Sequence, residues 1–213
     1  VAMGRNYSAT IRSGWSKLPL LVLASAIVPC LLTASGCSKS ADSSEIVLGH
    51  YGSMTGSEAT FGISTDNGIK LAIEEINEAG GINGKKVRLI TYDDKGDSRE
   101  AGTAVTRLVT RDSVAAVLGE VASSLSLAGA PVCQENGVPM ITPSSTNPAV
   151  TEVGDMVFRV CFIDPFQGSV CAKFAREHEG LKASKAAILY DQSAAYAVGL
   201  QEEFAKAFEQ AGG

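Results

Sequence analysis

Apolar residues along this chain fall into two alternating rhythms. Short stretches rich in apolar residues sit at Ile46–Tyr51, Val87–Tyr92, Ala115–Leu118, Val138–Ile141, Val157–Phe162 and Ala186–Tyr190. Stretches of this length predict strands, and short apolar runs separated by helical patterns suggest neighbouring strands of a parallel sheet covered on both faces. Between them the spacing changes to that of helices. Ile69, Ala72, Ile73 and Ile76 share one face of a helix predicted over Thr65–Ala79, which Gly80-Gly81 stops. Ala101, Ala104, Val105, Leu108 and Val109 share one face of the next, which runs to Thr110. Asp97 and Glu100 stand at capping-box spacing at its start. Further helices are predicted over Ser124–Glu135, Phe166–Glu179 and Tyr196–Gln210, with Pro131 expected to kink or shorten the first. The repeated β–α order predicts an α/β fold with a mostly parallel sheet.

The most informative stretch is Val114–Asn147. Two of its apolar runs each lead into a hydroxyl-rich loop, Ser123-Ser124 after the first and Ser144-Ser145-Thr146 after the second. Ligands in open α/β sheets sit outside the carboxyl ends of the strands. The two loops would then face one crevice with hydroxyls, backbone N–H groups and no cationic side chain. That suits a small polar or zwitterionic molecule. Ser and Thr also cap helices and turns, and either loop alone fits that role.

The N-terminal segment has a separate logic. Arg5, Arg12 and Lys17 precede the apolar run Leu18–Leu32, which Pro19 and Pro29 interrupt. The run is too short and broken to span a bilayer comfortably and has the form of a secretory signal. Leu32-Thr33-Ala34-Ser35-Gly36-Cys37 resembles a bacterial lipobox, with Ala34 where Leu is commoner. It marks Cys37 for lipidation, so residues 1–37 read as a lipoprotein signal peptide and 38–45 as a polar tether. The first residue is Val, which a non-AUG start or a fragment would explain.

Composition narrows the function. The chain has 213 residues, 45% of them hydrophobic, and a formal net charge of -5. No Lys/Arg stripe appears, so nucleic acid is not an expected partner. Only two histidines occur, His50 and His178, which leaves little for a His-based metal or catalytic site. The five cysteines, Cys30, Cys37, Cys133, Cys161 and Cys171, contain no CxxC; Cys161–Cys171 is one available bridge. A nucleophilic Ser123 or Ser124 lacks a G-x-S-x-G elbow, and Gly49, Gly52 and Gly56 do not make G-x-G-x-x-G. Asp93, Asp94 and Asp97 read as loop carboxylates capping the following helix, and His50 as a packed residue. No catalytic residue, metal or cofactor is expected.

Taken together, Gly52-Ser53-Met54-Thr55-Gly56, Ala79–Gly84, Tyr92-Asp93-Asp94, Gly119–Ser124, Pro139–Pro148 and Tyr190-Asp191 with Tyr196–Gly199 resemble the leucine/isoleucine/valine-binding proteins. These are type I periplasmic binding proteins of ABC importers, and the resemblance runs from Ile46 to Gly213. It implies two α/β lobes that close on ligand, with 46–163 as the first and 164–213 as the start of an incomplete second. It implies that Ser123 and Thr146 bind the α-carboxylate and α-ammonium of an amino acid, and that Ser145 contributes its backbone carbonyl. Phe61 and Tyr196 would line the pocket, and Asp164 would stand at its edge near the hinge. The ammonium-pairing acid of relatives has no counterpart before Gly213. The ligand would be a small amino acid, branched-chain above all, or a related amide. The partner would be a membrane permease, and the location the cell envelope, lipid-anchored and facing the periplasm or exterior. An envelope sensor of the same fold is the second reading.

Overall fold

A computed structural model describes residues 44–213; the signal segment and Cys37 lie outside them. Five strands form one wholly parallel sheet in the order β2-β1-β3-β4-β5. The strands are β1 (Glu45–Gly52), β2 (Lys86–Asp93), β3 (Ala116–Leu118), β4 (Met140–Thr142) and β5 (Val157–Arg159). Helices α1 (Ala59–Glu78), α2 (Ser98–Thr110), α3 (Ser123–Asn136) and the short α4 (Ala149–Glu152) connect them. After β5 come α5 (Asp164–Glu177) and α6 (Ala195–Gln210), which pack on each other. The α/β class, the parallel sheet and the order of the first five strands are as the apolar runs predict.

Alternation along β1 explains the layers. Tyr51 and Gly49 point to one side, where a Cβ on Gly49 would sit 2.9 Å from the Leu108 side chain of α2. A Cβ on Gly129 of α3 would lie 2.7 Å from the Tyr51 hydroxyl. On this side Tyr51, Val105, Leu108, Val117, Ala130 and Met140 form the core, all fully buried. His50 points to the opposite side, towards Asp66 of α1. Helices therefore cover both faces.

Helix α2 matches its sequence pattern throughout. Asp97 caps it, accepting from the N–H groups of Arg99 at 2.9 Å and Glu100 at 3.1 Å. Its five predicted core residues are all buried. Helix α1 departs from expectation. It begins at Ala59 rather than Thr65, and its buried residues are Gly62 and Asp66. Ile69 and Ile73 are half-buried, whereas Ala72 and Ile76 are exposed. Its first turn rests on the loop after β1, where a Cβ on Gly62 would approach the Ser53 carbonyl to 2.1 Å. Glycine lowers helix propensity, so this turn reads as loop until the packing contact is known.

Three other expectations are corrected. Helix α3 runs through Pro131 to Asn136 without being shortened. Residues 186–190 form no strand: Leu189 is fully exposed, and Ile188, Leu189 and Leu200 of α6 line the same groove. A strand exists only by pairing, and no described strand lies beside this segment. Cys161 and Cys171 are free rather than bridged; Cys171 of α5 lines the groove together with Ile188 and Leu200.

Loss of the α2 cap in Asp97→Ala is expected to lower unfolding stability by about 1 kcal/mol. Leu108→Ala, which empties part of the core, is expected to cost about 2–5 kcal/mol. Urea denaturation measures both. A Leu108→Ala cost no larger than the cap cost would remove α2 from the core.

Candidate functional site

The strand order reverses between β1 and β3, and the loops at the carboxyl ends of the strands enclose a cavity of about 730 Å³. Every strand contributes to it. Glu58 and Phe61 follow β1, Gly96 and Ser98 follow β2, and Ser123 and Ser124 follow β3. Ser144 and Thr146 follow β4, and Phe162 follows β5. Gln167 of α5 and the segment Asp191–Tyr196 at the start of α6 complete the wall. No Lys or Arg lines it.

The two hydroxyl loops are bound to each other. Ser145 Oγ donates to the carbonyls of Glu120 at 3.0 Å and Val121 at 3.1 Å, and meets Ser126 Oγ at 2.7 Å. Thr142 Oγ1 donates to the Glu120 carbonyl at 2.6 Å and accepts from the Ser145 N–H at 2.9 Å. Ser123 Oγ accepts from the Asn147 N–H at 3.3 Å. From β5, the Arg159 guanidinium donates to the carbonyls of Ser145 (2.9 Å), Asn147 (2.8 Å) and Pro148 (3.0 Å). One planar cation thus holds the whole turn that carries Thr146.

The α6 end is also tied to these loops. The Ala195 N–H donates to Ser124 Oγ at 2.9 Å, and its carbonyl accepts from Asn147 Nδ2 at 2.9 Å. Gln167 Nε2 donates to the Tyr196 hydroxyl at 2.9 Å.

Four of the six residues named from the sequence line the cavity: Phe61, Ser123, Thr146 and Tyr196. Ser145 and Asp164 lie behind it, fully buried. The Ser145 hydroxyl is spent on the loop network, and its carbonyl already accepts from Arg159. The Asp164 N–H donates to the Thr146 carbonyl at 3.0 Å, and its carboxyl group faces the Thr146 hydroxyl. Burial raises the Asp164 pKa above the ordinary carboxylate value, against the pull of that hydroxyl. Sequence reading missed Glu58, Phe162, Gln167 and Arg159. Arg159 and Phe162 fall inside an apolar run and read as strand residues, whereas the strand ends at Arg159 and Phe162 belongs to the loop.

Beneath the cavity lies a buried acid cluster. Glu120 accepts from the Ser53 N–H at 3.1 Å and from the Ala122 N–H. Asp94 accepts from Ser53 Oγ at 2.8 Å and from the Gly96 N–H at 3.0 Å. Burial, helped by the neighbouring Asp94 charge, pushes the Glu120 pKa up to about 7, against the pull of the two N–H groups. Burial also raises Asp94. His50 is buried with Nδ1 2.8 Å from the Leu118 carbonyl, and burial lowers its pKa. It is a packed residue, as its position at a strand end suggests. Asp93 accepts from the N–H groups of Met54 and Lys95, both at 2.9 Å, so it acts as a loop cap.

A family model described as periplasmic binding protein matches residues 45–213. The chain belongs to the periplasmic binding protein family. Its relatives among curated sequences include the leucine-, isoleucine-, valine-, threonine- and alanine-binding protein of Pseudomonas aeruginosa. That protein is 36% identical over 203 residues, which are 95% of this chain and 52% of the relative. Among solved structures, the branched-chain amino acid transporter substrate-binding protein LivJ of Streptococcus pneumoniae, in complex with isoleucine, superposes with a TM-score of 0.74. It is 34% identical, over 78% of this chain and 47% of that one. A solute-binding protein of an ABC transporter from Rhodopseudomonas palustris, in complex with 3,4-dihydroxybenzoic acid, superposes with a TM-score of 0.72. Its identity is 25%, over 80% of this chain and 45% of that one. The chain spans about half the length of the relatives it matches. The resemblance in its motifs and the five-stranded parallel fold therefore agree with the branched-chain amino acid-binding members of the family. These relatives are binding proteins, not enzymes.

The buried acids make stability depend on pH. Glu120 holds its proton more tightly folded than unfolded, so its contribution is complete below about pH 4.5 and is lost as pH rises through about 7. Wild-type protein is expected to lose about 3 kcal/mol across that window from this group. Denaturation curves of wild type and Glu120→Gln at intervals across it measure the difference. Parallel pH profiles would show that Glu120 titrates normally.

Proposed function

We propose that this chain is the ligand-holding part of an extracytoplasmic substrate-binding lipoprotein of an ABC importer. It takes a small amino acid, branched-chain above all, or a related amide. The observation that carries this reading is the cavity where all five strand ends converge, with Ser123 and Thr146 on neighbouring loops. A zwitterion needs donors at one end and acceptors at the other. A hydroxyl offers both, and the N–H groups at the start of α3 favour a carboxylate. In this reading Ser123 and Thr146 grip the two charged ends, and Ser145 braces the loop that carries Thr146. Phe61 and Tyr196 wall the aliphatic side chain, and Asp164 supports the Thr146 turn from behind. Hydrogen bonds to charged groups contribute roughly 1.5–3 kcal/mol each. A few of them with one buried aliphatic group reach about −8 kcal/mol, the micromolar range.

A permease is the partner this function requires. The lipid on Cys37 would hold the protein on a membrane at the cell envelope, facing the periplasm or exterior. Among the described residues no helix is long and apolar enough to cross a membrane.

Isothermal titration of the 213-residue chain with leucine, isoleucine, valine, urea and acetamide tests the ligand class. Micromolar binding of an aliphatic amino acid is expected, and Thr146→Ala is expected to weaken it roughly tenfold to a hundredfold. Absence of heat with every compound would defeat the reading. Separately, cells expressing the chain are expected to incorporate labelled palmitate, and Cys37→Ser is expected to abolish the label. Undiminished labelling of that variant would remove the anchor from Cys37.

A further inference from the structure

The backbone and side chain of Glu120 reach different loops. Its carbonyl accepts from Ser126 Oγ at 3.1 Å, Thr142 Oγ1 at 2.6 Å and Ser145 Oγ at 3.0 Å, which ties it to α3 and to the loop after β4. Its carboxyl group accepts from the N–H of Ala122, the residue before α3, and from the N–H of Ser53, in the loop after β1, at 3.1 Å. Ser53 also supports α1, since a Cβ on Gly62 would come within 2.1 Å of its carbonyl oxygen. Beside Gly62 stands Phe61, and beside Ala122 stand Ser123 and Ser124, all on the cavity wall. Glu120, Ser53 and Asp94 lie behind that wall, each no more than 1% exposed.

The Ser53 hydroxyl lies between two acids, 2.8 Å from Asp94 Oδ1 and 3.4 Å from Glu120 Oε1. It has a single hydrogen to give. Donated to the nearer Asp94, that hydrogen leaves an Oγ lone pair facing Glu120. A proton on Glu120 makes the contact one of donor and acceptor. Without it, two electron-rich oxygens face each other between two buried negative charges. Burial pushes the Glu120 pKa up to about 7; the N–H groups of Ala122 and Ser53 oppose the rise, and the negative charges of Asp94 and Glu58 add to it. Asp93 places further negative charge beside Asp94. His50 donates Nδ1–H to the Leu118 carbonyl, and burial lowers its pKa against the charges of Asp66 and Asp94, with Lys70 acting in the same direction as burial. It therefore brings no positive charge to the pair at neutral pH. Tyr51 is fully buried, and burial first, then neighbouring groups that include Glu120, hold its phenolic proton in place.

We propose that Glu120 is a positioning residue for the cavity: it shares one proton with Asp94 across the Ser53 hydroxyl, and that proton keeps the loop after β1 docked on the start of α3. The effect on ligand rests on the binding reading above; the shared proton does not. When the proton leaves, two anions repel each other across one hydroxyl. Ser53 then draws away from Glu120, and the start of α1 with Phe61 moves off the loop that carries Ser123. A ligand held between those two walls favours the docked form, so binding and protonation strengthen each other. Affinity is therefore greatest where the proton is held and falls as pH rises through about 7.

Infrared spectra of the 213-residue chain test the proton without any ligand, through the carbonyl stretch of a protonated carboxyl group. At neutral pH wild type is expected to show such a band that Glu120→Gln lacks. In Asp94→Asn, where the second negative charge is gone, the band is expected to titrate about one pH unit lower. No difference between wild type and Glu120→Gln would overturn the proposal, and an unmoved midpoint in Asp94→Asn would show that the proton is not shared. Calorimetric titration with leucine at about pH 5.5 and about pH 8.5 tests the effect on the cavity. Wild type is expected to bind roughly tenfold more weakly at the higher pH. Glu120→Gln, whose amide is neutral at both, is expected to lose most of that dependence. Asp94→Asn, which removes the repulsion, is expected to flatten it too, and carries the comparison if Glu120→Gln does not fold. A wild-type affinity that does not fall with pH would sever the proton from the cavity. Absence of leucine heat at both pH values would defeat the binding reading and the effect on ligand with it, while the infrared bands would still decide whether the pair holds its proton.

Discussion

The structure depends on how the backbone is satisfied above two very short buried strands. β3 and β4 are three residues each, and Gly119 and Glu120 beyond the first and Ser145 and Thr146 beyond the second are buried after the ladder has ended. Without water or a neighbouring strand, their carbonyls need donors from side chains. Ser126, Thr142 and Ser145 supply them around the Glu120 carbonyl, and Arg159 supplies three more along the turn from Ser145 to Pro148. Short hydroxyls reach backbone atoms with little rotamer entropy to lose. They therefore make a stiff floor, on which Ser123 and Thr146 present their outer faces to the cavity.

That arrangement divides the polar groups into two sets. One set, including Ser145, Ser126 and Thr142, is consumed by structure. The other, Ser123, Ser124 and Thr146, lies at the cavity edge. Ser124 and Asn147 are in turn joined to Ala195, so the start of α6 is positioned by the same loops that form the floor. The acids beneath, Asp94 and Glu120, share the Ser53 hydroxyl below the floor, and burial favours the proton on both.

Away from the sheet the picture is looser. α5 and α6 bury little beyond Gly168, Ala172 and Phe208, and Phe174, Val170 and Leu189 remain exposed. α1 likewise leaves Leu71 and Ile76 in solvent. Apolar surface of this extent is uncommon on a finished monomer and marks faces suited to further packing.

The sequence by itself determined the elements whose signals are local. Helix α2 could be read down to its cap, because Asp97 and a five-residue apolar face are features of neighbouring positions. The two hydroxyl loops were legible for the same reason: each follows an apolar run directly. The sequence also carried the family resemblance. Tertiary structure alone decided what depends on distant partners. It set the start of α1, where Gly62 rests against Ser53, and it left residues 186–190 unpaired because no described strand lies beside them. It separated Ser145 and Asp164 from the cavity wall, and it brought Glu58 and Phe162 into that wall. Periodicity reports which face of an element is apolar. It does not report which other element, tens of residues away, will meet that face, and that meeting determines which polar groups remain free for a ligand.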